Sequence, residues 1–307
     1  MMIAFIIKRF FWLLVTLWAV FTVSFILMRS VPGGPFDREK AVAPEIKRNL
    51  ERRYNLDKPV LVQYGLELER VFLHGDLGHC MNIADASVNF VIRQGLPISA
   101  ALGILAMTFA VSFGVLTGVV AAAMRGSPLD VGLRLAATAG IALPNFVVAG
   151  VCILLFVFWL PLLPAAGWGS LSQLVLPAFC LGAPYAAEVA RISRTSMLDA
   201  LSHDYIRTAR AKGVSRTRVV LVHGLRNSLL PVVSFLGPAV AGILTGSLIV
   251  EQIFGIPGLG VYFVKSALQR DYTLSMGVVL LYTLVLYTMN FLVDLSYAYL
   301  DPRVELE

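Results

Sequence analysis

The segment HGDLGHC holds the residues of this chain that are best suited to metal chemistry. His74, Asp76, His79 and Cys80 are all metal-ligand types within seven positions. The two glycines between them favour an irregular turn, which would not aim four side chains at one point. We therefore predict a structural turn and no metal site. A membrane-embedded metalloenzyme or assembly factor built on this segment is the alternative.

A second segment, GIPGLG at 255–260, resembles a glycine-rich phosphate loop only superficially. It has no lysine, and the chain contains no G-x-x-x-x-G-K-[ST] pattern. Pro257 and the glycines break a helix while Ile256 and Leu259 stay apolar, which predicts a bend that re-enters the membrane edge. We predict no catalytic residue and no cofactor in this chain.

The composition places the chain in a membrane. It is 58% hydrophobic and 14% charged, with a mean hydropathy of +0.78, too apolar for a water-soluble domain. Three cysteines are too few for a disulfide framework. The long runs without charge predict an all-α integral membrane protein with six transmembrane helices. We expect these helices near residues 10–30, 98–122, 135–160, 174–190, 230–250 and 274–298.

The first of these runs is predicted to be a retained span, because no small-residue cleavage pattern follows it. Carboxylates inside a membrane are functional candidates by default. Glu188, Glu251 and Asp294, however, fall near predicted helix ends, where they can reach the interface or a neighbour. A proton relay is therefore not expected.

The segment 31–97 predicts a small helical insertion with two amphipathic helices around the turn NLDKP. About half of the 25 basic residues fall on the opposite side of the predicted membrane, which places both termini in the cytoplasm and the insertion outside it. The predicted parts of the chain are 1–30 (first span), 31–97 (insertion), 98–300 (core, with a cytoplasmic loop at 191–229) and 301–307 (tail).

The stretch DYIRTARAKGVSRTR, residues 204–218, carries an unusual concentration of positive charge. Each Arg or Lys at the bilayer centre costs about 2.5–3.5 kcal/mol, so this segment must lie in water or against another protein. Ser202 is placed to cap a helix, Gly213 to end it in the left-handed conformation, and Ser215 to cap a second helix. The pattern predicts a short helix, a tight turn and another helix.

The first of these helices has the composition of an interface. Tyr and Arg often anchor interfaces, and small residues allow close approach. The alternative is a positively charged loop that fixes topology and contacts anionic lipid. One face of this helix carries Leu201, Tyr205, Thr208 or Ala209, and Lys212, with Arg207 and Arg210 beside it.

The fifth predicted span is rich in small residues. Gly242, Gly246 and Ser247 would let helices pack closely.

The stretch RTARAKG resembles the cytoplasmic-loop motif of permease subunits of binding-protein-dependent ABC importers, written EAA, three residues, then G. Arg207 stands where the motif has Glu, and His223 to Arg226 replace its later I-x-L-P. Further segments are similar to the peptide-transporting branch, and in particular to the B-type subunit of oligopeptide importers. These segments are IKRF, VPGGPF, YNLDKPVLVQY, HGDLGH, VEQIFGIPGLG and VDLSYAYLDPR.

The resemblance implies a type I importer permease fold and a loop helix that inserts into a cytoplasmic ATPase. On this resemblance the ATPase contact is made by Tyr205, Arg207, Thr208, Ala209, Lys212 and Gly213, and the span with Gly242, Gly246 and Ser247 lines the translocation path. It implies as partners a second homologous permease, two ATPase subunits that bind ATP and Mg, an extracytoplasmic peptide-binding protein and membrane lipid, but no nucleic acid. The implied location is the inner membrane. Oligopeptides are the first expected cargo and dipeptides the next, with glutathione or a nickel chelate as alternatives. An ATP-independent secondary transporter or channel is a further alternative.

Overall fold

The computed structural model describes residues 2–36, 44–83 and 85–300, which form helices joined by turns. Within these ranges, one isolated antiparallel bridge joins His79 and Ser87. The helices are α1 (Met2–Ser30), α2 (Pro44–Arg53), α3 (Val60–His74), α4 (Val88–Ala123), α5 (Pro128–Ala142), α6 (Asn145–Ile153), α7 (Leu171–Ser202), α8 (Asp204–Ala211), α9 (Arg216–Arg218), α10 (Leu225–Ser228), α11 (Leu230–Ile253), α12 (Leu259–Gln269) and α13 (Tyr272–Leu300). Two π-helical segments, Leu154–Trp159 and Val219–Gly224, follow α6 and α9.

Several of these helices have the length and composition of membrane spans. In the described part of the chain, four are long and apolar enough to cross a membrane, and the number rises to six if each of two bent helix pairs is one span. The four are Phe5–Ser30, Val88–Ala123, Leu171–Ser202 and Tyr272–Leu295. The all-helical class is confirmed, and the count of six stays a prediction.

The helices expected near 230–250 and 274–298 are found as α11 and α13, with ends shifted by at most three residues. The other predicted ends are less accurate. Helix α1 begins at Met2, α4 begins at Val88 within the segment assigned to the insertion, and α7 continues to Ser202. Arg191 and Arg194 therefore belong to α7 and not to a loop.

The helix predicted near 135–160 is not continuous in the structure. Helices α5 and α6 with its π segment are bent by 110° at Leu143 and Pro144. Leu143 is extended, with φ −86° and ψ 128°, because the residue before a proline is kept out of the helical region. The break was not predicted, because this run contains no charge and was read as one span, although Pro144 indicates a helix break there.

The chain divides into two compact units. The first consists of Met1–Pro97 and Gly258–Tyr287, and the second of Ile98–Pro257 and Thr288–Glu307. Helices α4 and α13 contribute residues to both. The predicted tail 301–307 lies outside the described residues, and the boundaries predicted from the sequence remain predictions.

In the first unit, α2 and α3 flank the turn 54–59, which confirms the two helices expected around NLDKP. The core of this unit is aromatic: Phe21 and Phe25 of α1 pack against Tyr64 of α3, with ring centroids 5.5 and 5.2 Å apart. At the end of α1, Arg29 donates hydrogen bonds to Gln63 and Glu67. Helix α1 is thereby joined to α3 by both apolar and charged contacts.

The buried carboxylate of Asp271 joins α13 to the two residues that follow the HGDLGHC segment. It accepts hydrogen bonds from the backbone N–H groups of Met81 (2.8 Å), Asn82 (2.9 Å) and Leu274 (3.1 Å). The bond to Leu274 caps the first turn of α13, since a side-chain oxygen satisfies an N–H that has no partner within the helix. One side chain thus fixes both the turn and the helix start.

In the second unit, α7 is the central helix. It contains Pro177 and Pro184, and its buried residues form the largest apolar cluster together with side chains of α4, α6 and α11. A smaller cluster around Met197 and Val220 joins the end of α7 to the π segment that follows α9. The end of α7 is therefore in direct contact with the segment that follows the arginine-rich stretch.

We predict that Asp271→Ala destabilises the first unit. The buried N–H groups of Met81 and Leu274 and the part-buried N–H of Asn82 would lose their acceptor, at about 1–3 kcal/mol for each buried group left unsatisfied. The apparent Tm of the solubilised chain should fall by roughly 5–10 °C, measured by thermal unfolding in detergent. The control is Asp57→Ala, which removes an exposed carboxylate and should leave Tm unchanged. Equal effects of the two variants would contradict the role given to Asp271.

Candidate functional site

Helix α8 carries the arginine-rich stretch, and it begins differently from the expectation. Ser202 does not cap it: Ser202 is the last residue of α7, and its hydroxyl donates to the Asp199 carbonyl at 2.7 Å. Because α7 runs this far, the serine is used in the last turn of that helix. His203 takes the cap position of α8 in an extended conformation, without a side-chain capping bond.

The predicted stop at Gly213 is confirmed. Gly213 has φ +76°, and its N–H donates to the Arg210 carbonyl at 3.0 Å. The N–H of Val214 donates to the Ala209 carbonyl at 3.2 Å. These two bonds form a Schellman ending, which requires a left-handed residue and therefore favours glycine.

The second predicted helix is present but irregular. Ser215 stands at its N-cap position, although its side chain makes no capping bond. Helix α9 then passes through the π segment into α10. Gly224 of the π segment packs tightly on α7, since a Cβ there would come within 2.7 Å of the Met197 sulfur. The order helix, turn, helix is therefore as predicted.

One side chain anchors α8 and most of the others are exposed. Ile206 is fully buried, whereas Ala209 is half-buried. The side chain of Arg207 is 77% exposed and pairs with Asp204 at 3.3 Å, an exposed pair that contributes little to stability. Sequence reasoning missed Ile206, although it is the single large aliphatic residue of the helix. The other predicted contact residues, all exposed, are Tyr205, Thr208, Lys212 and Gly213.

Two hydrogen bonds fix this segment to its surroundings in the second unit. The Asn227 amide donates to the Tyr205 hydroxyl at 2.9 Å, which joins α8 to α10. The guanidinium of Arg216 donates to the Ala123 carbonyl at the end of α4, where a cation also suits the helix dipole. Helices α8 to α10 are thus attached to the ends of both α4 and α7.

Helices α4 and α7 approach each other closely at glycines. A Cβ on Gly114 would lie 2.7 Å from the Ala186 carbonyl oxygen, and one on Gly118 would lie 2.5 Å from that of Ala190. Gly182 of α7 makes the reciprocal contact with the Ala106 carbonyl of α4. Gly114 and Gly118 form a G-x-x-x-G pair, a known signal for close membrane-helix packing that sequence reasoning overlooked.

An ion pair joins α5 to α7. Asp130 is 1% exposed, and its two carboxylate oxygens accept from Arg194 at 2.8 and 2.9 Å. The backbone N–H of Gly126 donates to the same carboxylate at 3.0 Å. The pair was not predicted from the sequence, but Ser127 and Asp130 match the [ST]-x-x-[DE] capping pattern, and the Ser127 hydroxyl does accept from the Asp130 N–H.

The predicted path residues lie on α11. Gly242 faces α7, and a Cβ there would overlap the Tyr185 hydroxyl. Ser247 is 2% exposed, whereas the surroundings of Gly246 are outside the described part. Gly242 therefore serves helix packing, and a role of these residues in a translocation path stays a prediction.

The HGDLGHC segment forms a turn whose backbone groups are held by hydrogen bonds. Gly75 and Gly78 have positive φ, and Asn89 accepts from the Leu77 N–H and donates to the Gly75 carbonyl. Burial, with Asp271 nearby, raises the pKa of the Cys80 thiol to about 12, so it stays protonated and unreactive at neutral pH. No group of three or more His, Cys, Asp and Glu side chains suited to a metal occurs in the described ranges.

The other segments considered from the sequence have ordinary structural partners. GIPGLG is a bend between α11 and α12, with Ile256 and Leu259 fully buried. Glu188 pairs with Arg191 on the same helix. Glu251 is fully buried, and Asp294 is half-buried.

These features define a helical membrane protein with an exposed basic helix at the end of its central span. Residues 114–306 match the family model described as binding-protein-dependent transport system inner membrane component, and residues 2–87 match the model of its N-terminal part. The chain belongs to this family. It is therefore a multi-pass inner-membrane permease component and not itself an enzyme.

Individual members of the family are similar over the whole chain. The sequence is 43% identical over 305 residues to the dipeptide transport system permease protein DppB of Bacillus subtilis, covering 99% of each chain. It is 43% identical to the oligopeptide transport system permease protein OppB of Haemophilus influenzae and 40% identical to that of Escherichia coli K12, with the same coverage.

The Asp130–Arg194 pair leads to a prediction for a double-mutant cycle. Asp130→Asn and Arg194→Gln should each lower the apparent Tm, because each removes the close ion pair between the two groups, and the half-exposed Arg134, 3.5 Å from the carboxylate, is only a weaker second partner of Asp130. The double variant should be no less stable than either single variant. Thermal unfolding of the purified chain measures all three.

The exposed pair of Glu188 and Arg191 supplies the control for this cycle. Glu188→Gln should change Tm little, since exposed ion pairs contribute little. Strictly additive losses for Asp130→Asn and Arg194→Gln would contradict a direct interaction between the two residues.

Proposed function

We propose that this chain is one of two membrane-spanning permease subunits of an ATP-driven importer of peptides. The family and the names of its relatives support this function, and the exposed helix α8 is the observation that carries it. Oligopeptides are the first candidate cargo, because the sequence motifs resemble the oligopeptide importers. Dipeptides are the second, because a relative named for dipeptide transport is equally similar. Glutathione or a nickel chelate is the alternative cargo.

In this proposal α8 is the contact with a cytoplasmic ATPase. Its contact surface consists of Tyr205, Arg207, Thr208, Ala209, Lys212 and Gly213. An isolated eight-residue helix is unstable in water. Helix α8 buries one isoleucine against the rest of the chain and leaves its polar side exposed. Burial against a partner would supply the missing contacts.

The contacts around α8 give the coupling a physical route. When the ATPases close on ATP, they would displace α8, and the rigid attachment to α4 and α7 would pass the displacement to the spans. The bond between Tyr205 and Asn227 joins α8 to α10. The Arg216–Ala123 and Met197–Gly224 contacts join the rest of the segment to α4 and α7. The Asp130–Arg194 pair would then carry the movement from α7 to α5.

The remaining partners and the orientation follow from the same proposal. ATP and Mg are bound by two ATPase subunits, and an extracytoplasmic binding protein delivers the peptide. The termini and α8 lie in the cytoplasm, and α2 and α3 lie outside. The second permease is a different but homologous chain.

Reconstitution tests the function directly. We expect that the chain, assembled in proteoliposomes with a second permease, two ATPases and a binding protein, takes up labelled tri- to pentapeptides only with ATP and Mg. Competition by peptides of graded length would define the cargo. Uptake by the purified chain alone, driven by an ion gradient, would contradict the proposal.

Gly213 gives a sharper prediction about coupling. Gly213→Asp should abolish peptide uptake and leave membrane insertion intact. A Cβ at this position has nothing within 4 Å, so in the isolated chain the change costs only about 1–2 kcal/mol of left-handed backbone strain. The loss of uptake would come from a carboxylate placed in a basic docking surface.

Gly213→Asn is the matched control, because Asn has the same size and tolerates the left-handed conformation. It should retain most of the uptake. Uptake in reconstituted vesicles and insertion by membrane fractionation would be measured for both variants. Normal uptake by Gly213→Asp would remove α8 from the coupling contact.

A further inference from the structure

A cavity lined mostly by polar side chains lies in the first unit. Its volume is about 260 Å³, and it is bounded by α3, the turn 54–59 and the start of α13. Leu66 is its one apolar lining residue. A cavity of this size and polarity can hold a small polar ligand or several waters. Its lining includes Asn55, Lys58, Glu67 and Arg70.

Arg70 lines this cavity without a protein acceptor. Its Nε is buried and makes no hydrogen bond, and none of its guanidinium nitrogens pairs with a carboxylate in the described ranges. The guanidinium lies against the backbone of Gly78, since a Cβ there would come within 2.7 Å of its Cζ and Nη2. The arginine is therefore positioned by a close backbone contact and not by an ion pair.

The nearest carboxylate is already engaged by a different arginine. Arg29 donates through Nη2 to Glu67 at 3.1 Å and through Nε and Nη2 to Gln63. Its Cζ lies 3.5 Å from the centroid of the Phe25 ring, which fixes the side chain in place. Because Glu67 is balanced by Arg29, the charge of Arg70 has no counterpart among the described residues that line the cavity.

A second buried donor without an acceptor is the Nη1 of Arg29, although Arg29 does not itself line the cavity. Buried donors without acceptors cost about 1–3 kcal/mol, more when charged, and they usually indicate a water or an ion. A guanidinium with its fork unoccupied suits a planar carboxylate in particular, through two parallel hydrogen bonds.

We propose that this cavity binds a carboxylate, with Arg70 as its bidentate partner and with Lys58 and Asn55 at its edge. The volume accommodates a carboxylate with one small residue attached, but not a whole oligopeptide. Under the proposed function, on which only this choice of source rests, the carboxyl terminus of a peptide is the carboxylate that the site meets. Acetate tests the site without that assumption.

Calorimetric titration of the full chain in nanodiscs tests the proposal, in low-salt buffer because screening weakens the attraction. The probes are sodium acetate, sodium phosphate, triglycine and triglycine amide. We expect saturable binding of acetate and triglycine, with little binding of triglycine amide, which lacks the carboxylate. Equal binding of triglycine and its amide, or binding of phosphate without acetate, would overturn the proposal.

Variants locate the binding. Arg70→Gln should weaken acetate binding about tenfold or more, the effect of losing a charged hydrogen bond. Arg48→Gln, an exposed change on α2, should leave it unchanged. If Arg70→Gln does not fold, Arg70→Lys keeps the charge, loses the fork, and should still weaken binding clearly.

Unchanged acetate binding in the folded Arg70 variant, or no saturable acetate binding to the native chain, would sink the carboxylate site. The outcome does not depend on transport. A chain that binds acetate through Arg70 but imports no peptide would keep the site and lose the proposed function. A chain that imports peptide without binding acetate would do the reverse.

Discussion

The ion pair between Asp130 and Arg194 is the interaction on which the second unit depends most. Arg194 lies on α7 eight residues before that helix ends at Ser202, and α8 follows directly. A buried carboxylate with two guanidinium contacts and a backbone donor leaves α5 and α7 one favourable arrangement. The glycine contacts of α4 on α7 restrict the same region from the other side. Helix α8 therefore follows a helix end that these contacts hold in place.

Local chemistry explains which features the sequence could predict. Gly213 ends α8 because a left-handed stop depends on a few neighbouring residues, and the two helices around NLDKP follow from local periodicity. Pro144 and the G-x-x-x-G pair at Gly114 and Gly118 were equally local signals that were not used. The Asp130–Arg194 contact is different, since its partners are 64 residues apart and meet only after α5 and α7 pack.

The arginine-rich segment is exposed because charge is costly in hydrocarbon, and most side chains of α8 therefore remain uncovered. Eight residues with one buried anchor do not make a stable helix alone. The resemblance to a coupling motif rests on spacing, whereas the structure adds the contacts that join α8 to α10 and the following segment to α4 and α7. The surface that α8 would contact on the proposed partner follows from neither the motif nor the structure, because it depends on side chains of another chain.

Site-directed cross-linking of α8 in the assembled transporter tests the central claim most directly. The three native cysteines are buried, so Thr208→Cys introduces a reactive thiol against a low background, and Leu73→Cys at the exposed end of α3 serves as the control. We predict that a short thiol cross-linker joins position 208, but not position 73, to an ATP-hydrolysing subunit. Absence of that cross-link in a complex that still imports peptide would contradict the account.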